Sequence, residues 1–187
     1  MAGISDKCSR SCILSRELSV PSAHLLFWPV FIIGLAADLW TKSAIFNWLS
    51  SLAPQRYDII KGFFQLVLVE NRGAAWGIAA GKTMTLIVLS VTAIVVVFSI
   101  FLFGRKLQML VVLALGLFAA GICGNLYDRI FNDGSVRDFL DFYYGEWHFP
   151  AFNIADSMLT IAVFFLILTT IFTPKPQTDV TNSDSAA

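Results

Sequence analysis

The chain has 187 residues, 57% of them hydrophobic and 14% charged, with no net charge. Soluble domains carry about 25% charged residues, so this composition excludes a disordered chain, a basic nucleic-acid binder and most soluble enzymes. A mean hydropathy of +0.72 points to a bilayer, provided the apolar residues gather into long charge-free windows.

They do gather. Crossing about 30 Å of hydrocarbon takes roughly 20 helical residues, and four windows without Asp, Glu, Lys or Arg meet that length. The first, Leu18–Ala37, follows Lys7, Arg10 and Arg16 and ends on Gly34-Leu35-Ala36-Ala37. It has some of the form of a cleavable signal peptide, but the polar cluster just after it argues that the helix is retained. Pro21 falls near its start, where a helix tolerates proline, and Pro29 predicts a kink that neighbouring helices accommodate. The connection that follows holds a β-prone run, Phe63–Val69, leading into Asn71-Arg72-Gly73-Ala74-Ala75-Trp76-Gly77, where small residues permit close backbone approach. Thr83–Gly104 and Leu107–Tyr127 are the second and third spans, joined by a short turn at Arg105-Lys106. Phe139–Phe152 carries seven aromatics and reads as an interfacial loop, also suited to lying beside a lipid-bearing substrate. Ser157–Pro174 is the fourth span. The expected fold is membrane α-helical: four transmembrane helices (18–174) between a head (1–17) and a disordered polar tail (175–187).

Four spans put both termini on one side and the two longer connections on the other. Lys and Arg divide almost evenly between the sides. Arg105 and Lys106 fill a very short turn, however, and the head charges flank the first span. Those positions weigh most in the positive-inside rule, so the termini are expected in the cytoplasm. Cys8 and Cys12 then face a reducing compartment and Cys123 lies within the third span, so no disulfide framework is expected.

The remaining polar residues collect on the outer side. Asp38 follows the first window, Asp128 and Arg129 follow the third, and Asp156 precedes the fourth. Asn71, Arg72, Asp138 and Asp141 lie in the connections. Such a group is either a solvated flank or part of a site facing the bundle interior; several at the ends of different helices favour a shared site. Asn125 and Arg129 stand i, i+4 and share a face if the third helix continues that far. Asn153 and Asp156 stand i, i+3, where Asn153 also reads as an N-cap. If Asp138 and Asp156 meet near the dry edge of a bilayer, they cannot easily both ionise. A pair sharing one proton can take a proton from water while giving another to a carbonyl oxygen. His24 and His148 fall on opposite sides, which disfavours a Ser–His triad or a histidine metal site. A cation-relaying transporter and a non-catalytic scaffold remain alternatives, although a transporter calls for acids at mid-span or broken helices in matching halves.

Five motifs, in order and at the span boundaries, resemble those of the bacterial lipoprotein signal peptidases, or signal peptidase II. Asp38-Leu39-Trp40-Thr41-Lys42 resembles D-x-x-[ST]-K, and Asn71-Arg72-Gly73-Ala74-Ala75-Trp76 resembles N-x-G-A-A-F. Gly124-Asn125-Leu126-Tyr127-Asp128-Arg129 resembles G-N-x-x-D-R, Val136-Arg137-Asp138-Phe139 resembles V-x-D-F, and Phe152-Asn153-Ile154-Ala155-Asp156-Ser157 resembles F-N-x-A-D-S. The resemblance implies an intramembrane aspartic endopeptidase in which Asp138 and Asp156 activate a water without a covalent intermediate. Asn71, Gly73, Asn125, Arg129 and Asn153 would position substrate or carboxylates, with Asp38 and Lys42 in support. It further implies a diacylglyceryl-modified prolipoprotein substrate cut just before its lipidated cysteine, and inhibition by globomycin-like cyclic peptides. No metal or organic cofactor is implied. A monomer in the inner membrane with a small β-cradle on the outer face is expected. Trp76 and Cys123 depart from the pattern, and the stretch between Arg129 and Asp138 is one residue longer than is common, through Asn132-Asp133-Gly134-Ser135. The Val-x-Asp-Phe context selects Asp138 over Asp141.

Overall fold

A computed structural model describes residues 17–73 and 82–172. The expectations for residues 1–16 (with Cys8 and Cys12), for Ala74 to Gly77 and for the tail lie outside these residues. In chain order the elements are β1 (Glu17–Leu18), α1 (Val20–Ser50), β2 (Arg56–Ile60), β3 (Phe64–Asn71) and α2 (Thr83–Phe103). Then come β4 (Leu107–Gln108), α3 (Met109–Phe131), β5 (Val136–Tyr144), β6 (Trp147–His148) and α4 (Ile154–Phe172). All four helices are long and apolar enough to cross a bilayer, as expected, but their ends differ from the charge-free windows.

Helix α1 starts on the N-cap Ser19, whose Oγ accepts from the Ser22 N–H, with Pro21 in the first turn. It runs 31 residues, or about 46 Å, and passes straight through Asp38 and Lys42. These two stand one turn apart and pair at 2.8 Å with neither side chain exposed. Neither charge faces lipid, so neither stops the helix. The connection that follows therefore starts after Ser50 rather than near Lys42. In the same way α3 continues through Asp128 and Arg129 to Phe131, and α4 begins before Asp156.

Helix α3 is the central one, packing against α1, α2 and α4. Its buried positions are largely small, among them Ala114, Gly116, Ala119, Ala120, Gly121 and Gly124, which lets backbones approach closely where no hydrophobic force drives helices together. A Cβ on Gly121 would stand 2.7 Å from the Ala155 carbonyl oxygen of α4. Towards the other end, Phe27 of α1 stacks on Phe101 of α2 with centroids 3.8 Å apart. There β1 pairs antiparallel with β4 and ties the start of α1 to the α2–α3 turn.

The second sheet sits where α1 and α3 finish and α4 starts. It is antiparallel, in the order β2-β3-β5-β6. The β-prone run becomes β3, and β2 is the hairpin partner it needs. Gln65 pairs with Asp141, Val69 with Asp138 and Asn71 with Val136, across a bulge between Leu66 and Val69. The inner face places Leu66 and Phe139 against Leu49 of α1. Much of the expected aromatic loop is thus strand: Phe139 is core and Phe142 stacks on Phe64. Only Tyr144, Trp147 and Phe149 of its large rings stay exposed. The additional residue before β5 is taken up by a tight turn in which Asp133 and Gly134 adopt positive φ (46° and 79°), the latter without strain because it lacks a Cβ.

Candidate active site

The site grows from the first turn of α4. A helix start leaves N–H groups without intrahelical partners, and three side chains answer them here. Asn153 Oδ1 accepts from the Asp156 N–H at 3.0 Å, and Asp156 Oδ2 accepts in return from the Asn153 N–H at 3.2 Å. Asp38, arriving from α1, accepts from the Ala155 N–H at 2.8 Å. Gly124 of α3 makes that visit possible, since a Cβ there would overlap the Asp38 carboxylate. Capping, the plain structural role, is therefore real for Asn153, but it leaves the side-chain amide free for another task.

That amide reaches Asp138. Asn153 Nδ2 donates to Asp138 Oδ1 at 2.7 Å, and Asn71 Nδ2 donates to Oδ2 at 3.0 Å. Strand pairing sets this up: Phe152 bridges to Leu140 of β5, so the residue after it arrives beside Asp138. Asp156 Oδ1 meanwhile accepts from Asn125 Nδ2 at 2.8 Å. Asn153 thus holds one carboxylate with its side chain and the other with its backbone. Asp138 is 2% exposed. Burial first, and the Asp156 charge second, push its carboxyl up to about 7, against the lowering pull of the Asn71 and Asn153 hydrogen bonds. A proton near neutral pH and a charged neighbour are what water activation by two carboxylates needs.

Behind the pair lies a buried charge network. Lys42 Nζ donates to Asn125 Oδ1 at 3.0 Å and sits 2.8 and 3.4 Å from Asp38 and Asp128. Asp128 also binds Arg137 through Nη2 (2.7 Å), Nε (3.2 Å) and the backbone N–H (3.0 Å). Arg129 Nη2 donates to the Gly73 carbonyl at 3.1 Å, and Gly73 N–H donates to Asn71 Oδ1 at 2.9 Å. Every residue expected at the site is therefore in one connected cluster. A cavity of about 970 Å³ opens against it, lined by Asn71, Arg72, Gly73 and Asp138 and continuing to Asp141 and Pro150.

Comparison with known proteins decides the family. Residues 30–172 match the model for Signal peptidase (SPase) II. The chain belongs to the signal peptidase II family. It is 40% identical over 157 residues to the lipoprotein signal peptidase of Sulfurihydrogenibium sp. (strain YO3AOP1), covering 81% of this chain and 94% of the relative. With that of Bacillus pumilus it shares 32% over 158 residues, covering 84% and 99%. Two solved structures described as bacterial membrane enzymes superpose with TM-scores of 0.70 and 0.67 at 26% and 27% identity, covering 92% and 86% of this chain and nearly all of theirs.

The signal peptidase II fold also recruits residues that the sequence reading passed over. Asp128 and Arg137 carry no assigned role there, yet their pairing is what ties the end of α3 to the residue preceding Asp138 in β5. Asp128 stands within a quoted motif, a usable signal; nothing in the sequence pairs Arg137 with a residue nine positions back across a turn. Asp141, the alternative to Asp138, is held by Gln65 and His148.

Proposed function

We propose that the chain is an intramembrane aspartic endopeptidase that removes the signal peptide from diacylglyceryl-modified prolipoproteins, cutting before the lipidated cysteine. The observation that carries this reading is Asn153 gripping both Asp138 and Asp156 at the end of a four-helix bundle, in a member of the signal peptidase II family. In the proposed reaction a water oxygen attacks the scissile carbonyl carbon. Asp156 takes the water proton and Asp138 gives its own to the carbonyl oxygen, so that a neutral gem-diol forms. Asp156 then passes its proton to the amide nitrogen as the C–N bond breaks, and Asp138 recovers a proton from a diol hydroxyl. Asn71 and Asn153 keep Asp138 oriented, Asn125 does the same for Asp156, and Arg129 fixes the Gly73 carbonyl at the cavity edge. The reading includes cytoplasmic termini, a site facing the outer side of the inner membrane, a monomer, and inhibition by globomycin-like peptides.

Purified protein is expected to cleave a lipidated precursor in a globomycin-sensitive manner. Asp138→Asn and Asp156→Asn are each expected to abolish cleavage, with the folded state checked by thermal unfolding. Full activity in either variant would overturn the assignment.

A further inference from the structure

The cavity holds a second polar group that the proposed chemistry leaves unused. Asp141 lies three residues along β5 from Asp138, and both line the same space. Gln65, its partner across the sheet, donates to Asp141 Oδ2 at 2.7 Å, and His148 Nδ1 lies 2.8 Å from that oxygen. Asp141 and Gln65 are each 4% exposed, whereas the His148 side chain is 49% exposed. Tyr143 stacks on the imidazole at 5.5 Å and 13°. Its hydroxyl donates to Asp58 Oδ1 at 2.8 Å and accepts from the Gly62 N–H at 2.9 Å. The ring is therefore fixed both at its edge and on its face.

The chemistry of what is left open identifies the ligand. A carboxylate only accepts, so His148 gives its Nδ1–H to Asp141, and in the tautomer this selects Nε2 is the acceptor. Asp141 Oδ1 is buried with no hydrogen-bond partner among the described residues, an arrangement that folded proteins seldom leave uncompensated. The open ring nitrogen accepts, so the matching group is a donor. Three residues of strand span about 10 Å. A substrate lying extended with its scissile carbonyl at Asp138 sets its main chain about three residues away beside Asp141. Asp138 itself is gripped by Asn153, the residue before the membrane-crossing helix α4, so a membrane-embedded signal segment belongs at the Asp138 end.

Resting on the protease reading above, we propose that His148, positioned by Asp141 and Gln65, binds a main-chain N–H of the substrate about three residues on the carboxyl side of the bond cut. The three form a subsite for the emerging mature chain.

The test compares three lipidated precursor peptides: one ending a residue after the lipidated cysteine, one extended five residues further, and the extended one with an N-methyl group on the third residue after the cut. Wild type is expected to show a KM about tenfold lower for the extended peptide, and N-methylation is expected to erase that advantage. His148→Ala is expected to bring the KM ratio of extended to truncated peptide close to one, and His148→Gln to restore part of it through its amide oxygen. A merely structural role for His148 would weaken both peptides alike and leave the ratio in place. Cleavage without length preference, or a preference that survives both His148 variants, overturns this subsite alone. Failure to cut any of the peptides overturns the protease reading itself, and the subsite with it.

Discussion

Asp138 couples stability to pH in a direction opposite to the usual carboxylate. Its folded pKa of about 7 lies above the ordinary 3.8, so the folded state binds its proton more tightly than the unfolded chain does. The stabilisation from that proton is complete below pH 3.8 and is lost as pH rises through about 7. Asp138→Asn lacks this dependence. Between pH 4 and pH 8 the wild-type Tm is expected to fall relative to that of the variant by roughly 5–10 °C, read by thermal unfolding in micelles; a constant difference would contradict the assignment. The proton is also the one that the proposed reaction gives to the carbonyl oxygen. Accordingly kcat/KM is expected to decline above about pH 7, and a rate still climbing at pH 9 would show that another group supplies it.

At the scale of elements, two helices are held by charge rather than by apolar packing alone. Lys42 sits fully buried between Asp38 and Asp128, and removing one partner from a buried ionic cluster costs about 3–5 kcal/mol. Lys42→Met is expected to lose stability on that order, with partial recovery when Asp38→Asn is added, as a double-mutant cycle of unfolding free energies would reveal. Gly124→Ala attacks the same junction from α3, because its methyl would displace the Asp38 carboxylate from the first turn of α4. These elements also show where sequence reading reached and where it stopped. The pairs Asn125–Arg129 and Asn153–Asp156 were legible because one turn of helix brings them together. The full length of α1 was not, since a buried ion pair inside a span looks in sequence like the end of one. Neither the Asp128–Arg137 pairing nor the grip of Gln65 and His148 on Asp141 has a helical period; they depend on a turn geometry and a bulged strand register that composition does not encode.

The whole molecule is a bundle with a sheet clamped to one end, and Phe139 is the clamp. It is 1% exposed, seated with Leu49 and Leu66 between sheet and α1. Phe139→Ala is expected to cost about 3–5 kcal/mol and to reduce cleavage beyond what the lost folded fraction explains, because Asp138 rides on the sheet and Asp156 on the bundle. The orientation in the membrane has its own check. A cysteine at Lys106, with the native cysteines removed, is expected to react with an impermeant thiol reagent only in opened cells, and one at Tyr144 in intact spheroplasts; the reverse pattern would invert the topology.

Asn153 has a consequence in time as well as in space. Asp156 belongs to α4, and Asn153, which grips both carboxylates, is the residue just before it, so both emerge after the other three described helices. On the proposed chemistry, a chain with three helices inserted has no complete site, whatever substrate drifts past it. Docking of α4 caps that helix and assembles the carboxylate pair in a single event, so the nascent protease is silent until α4 is in place.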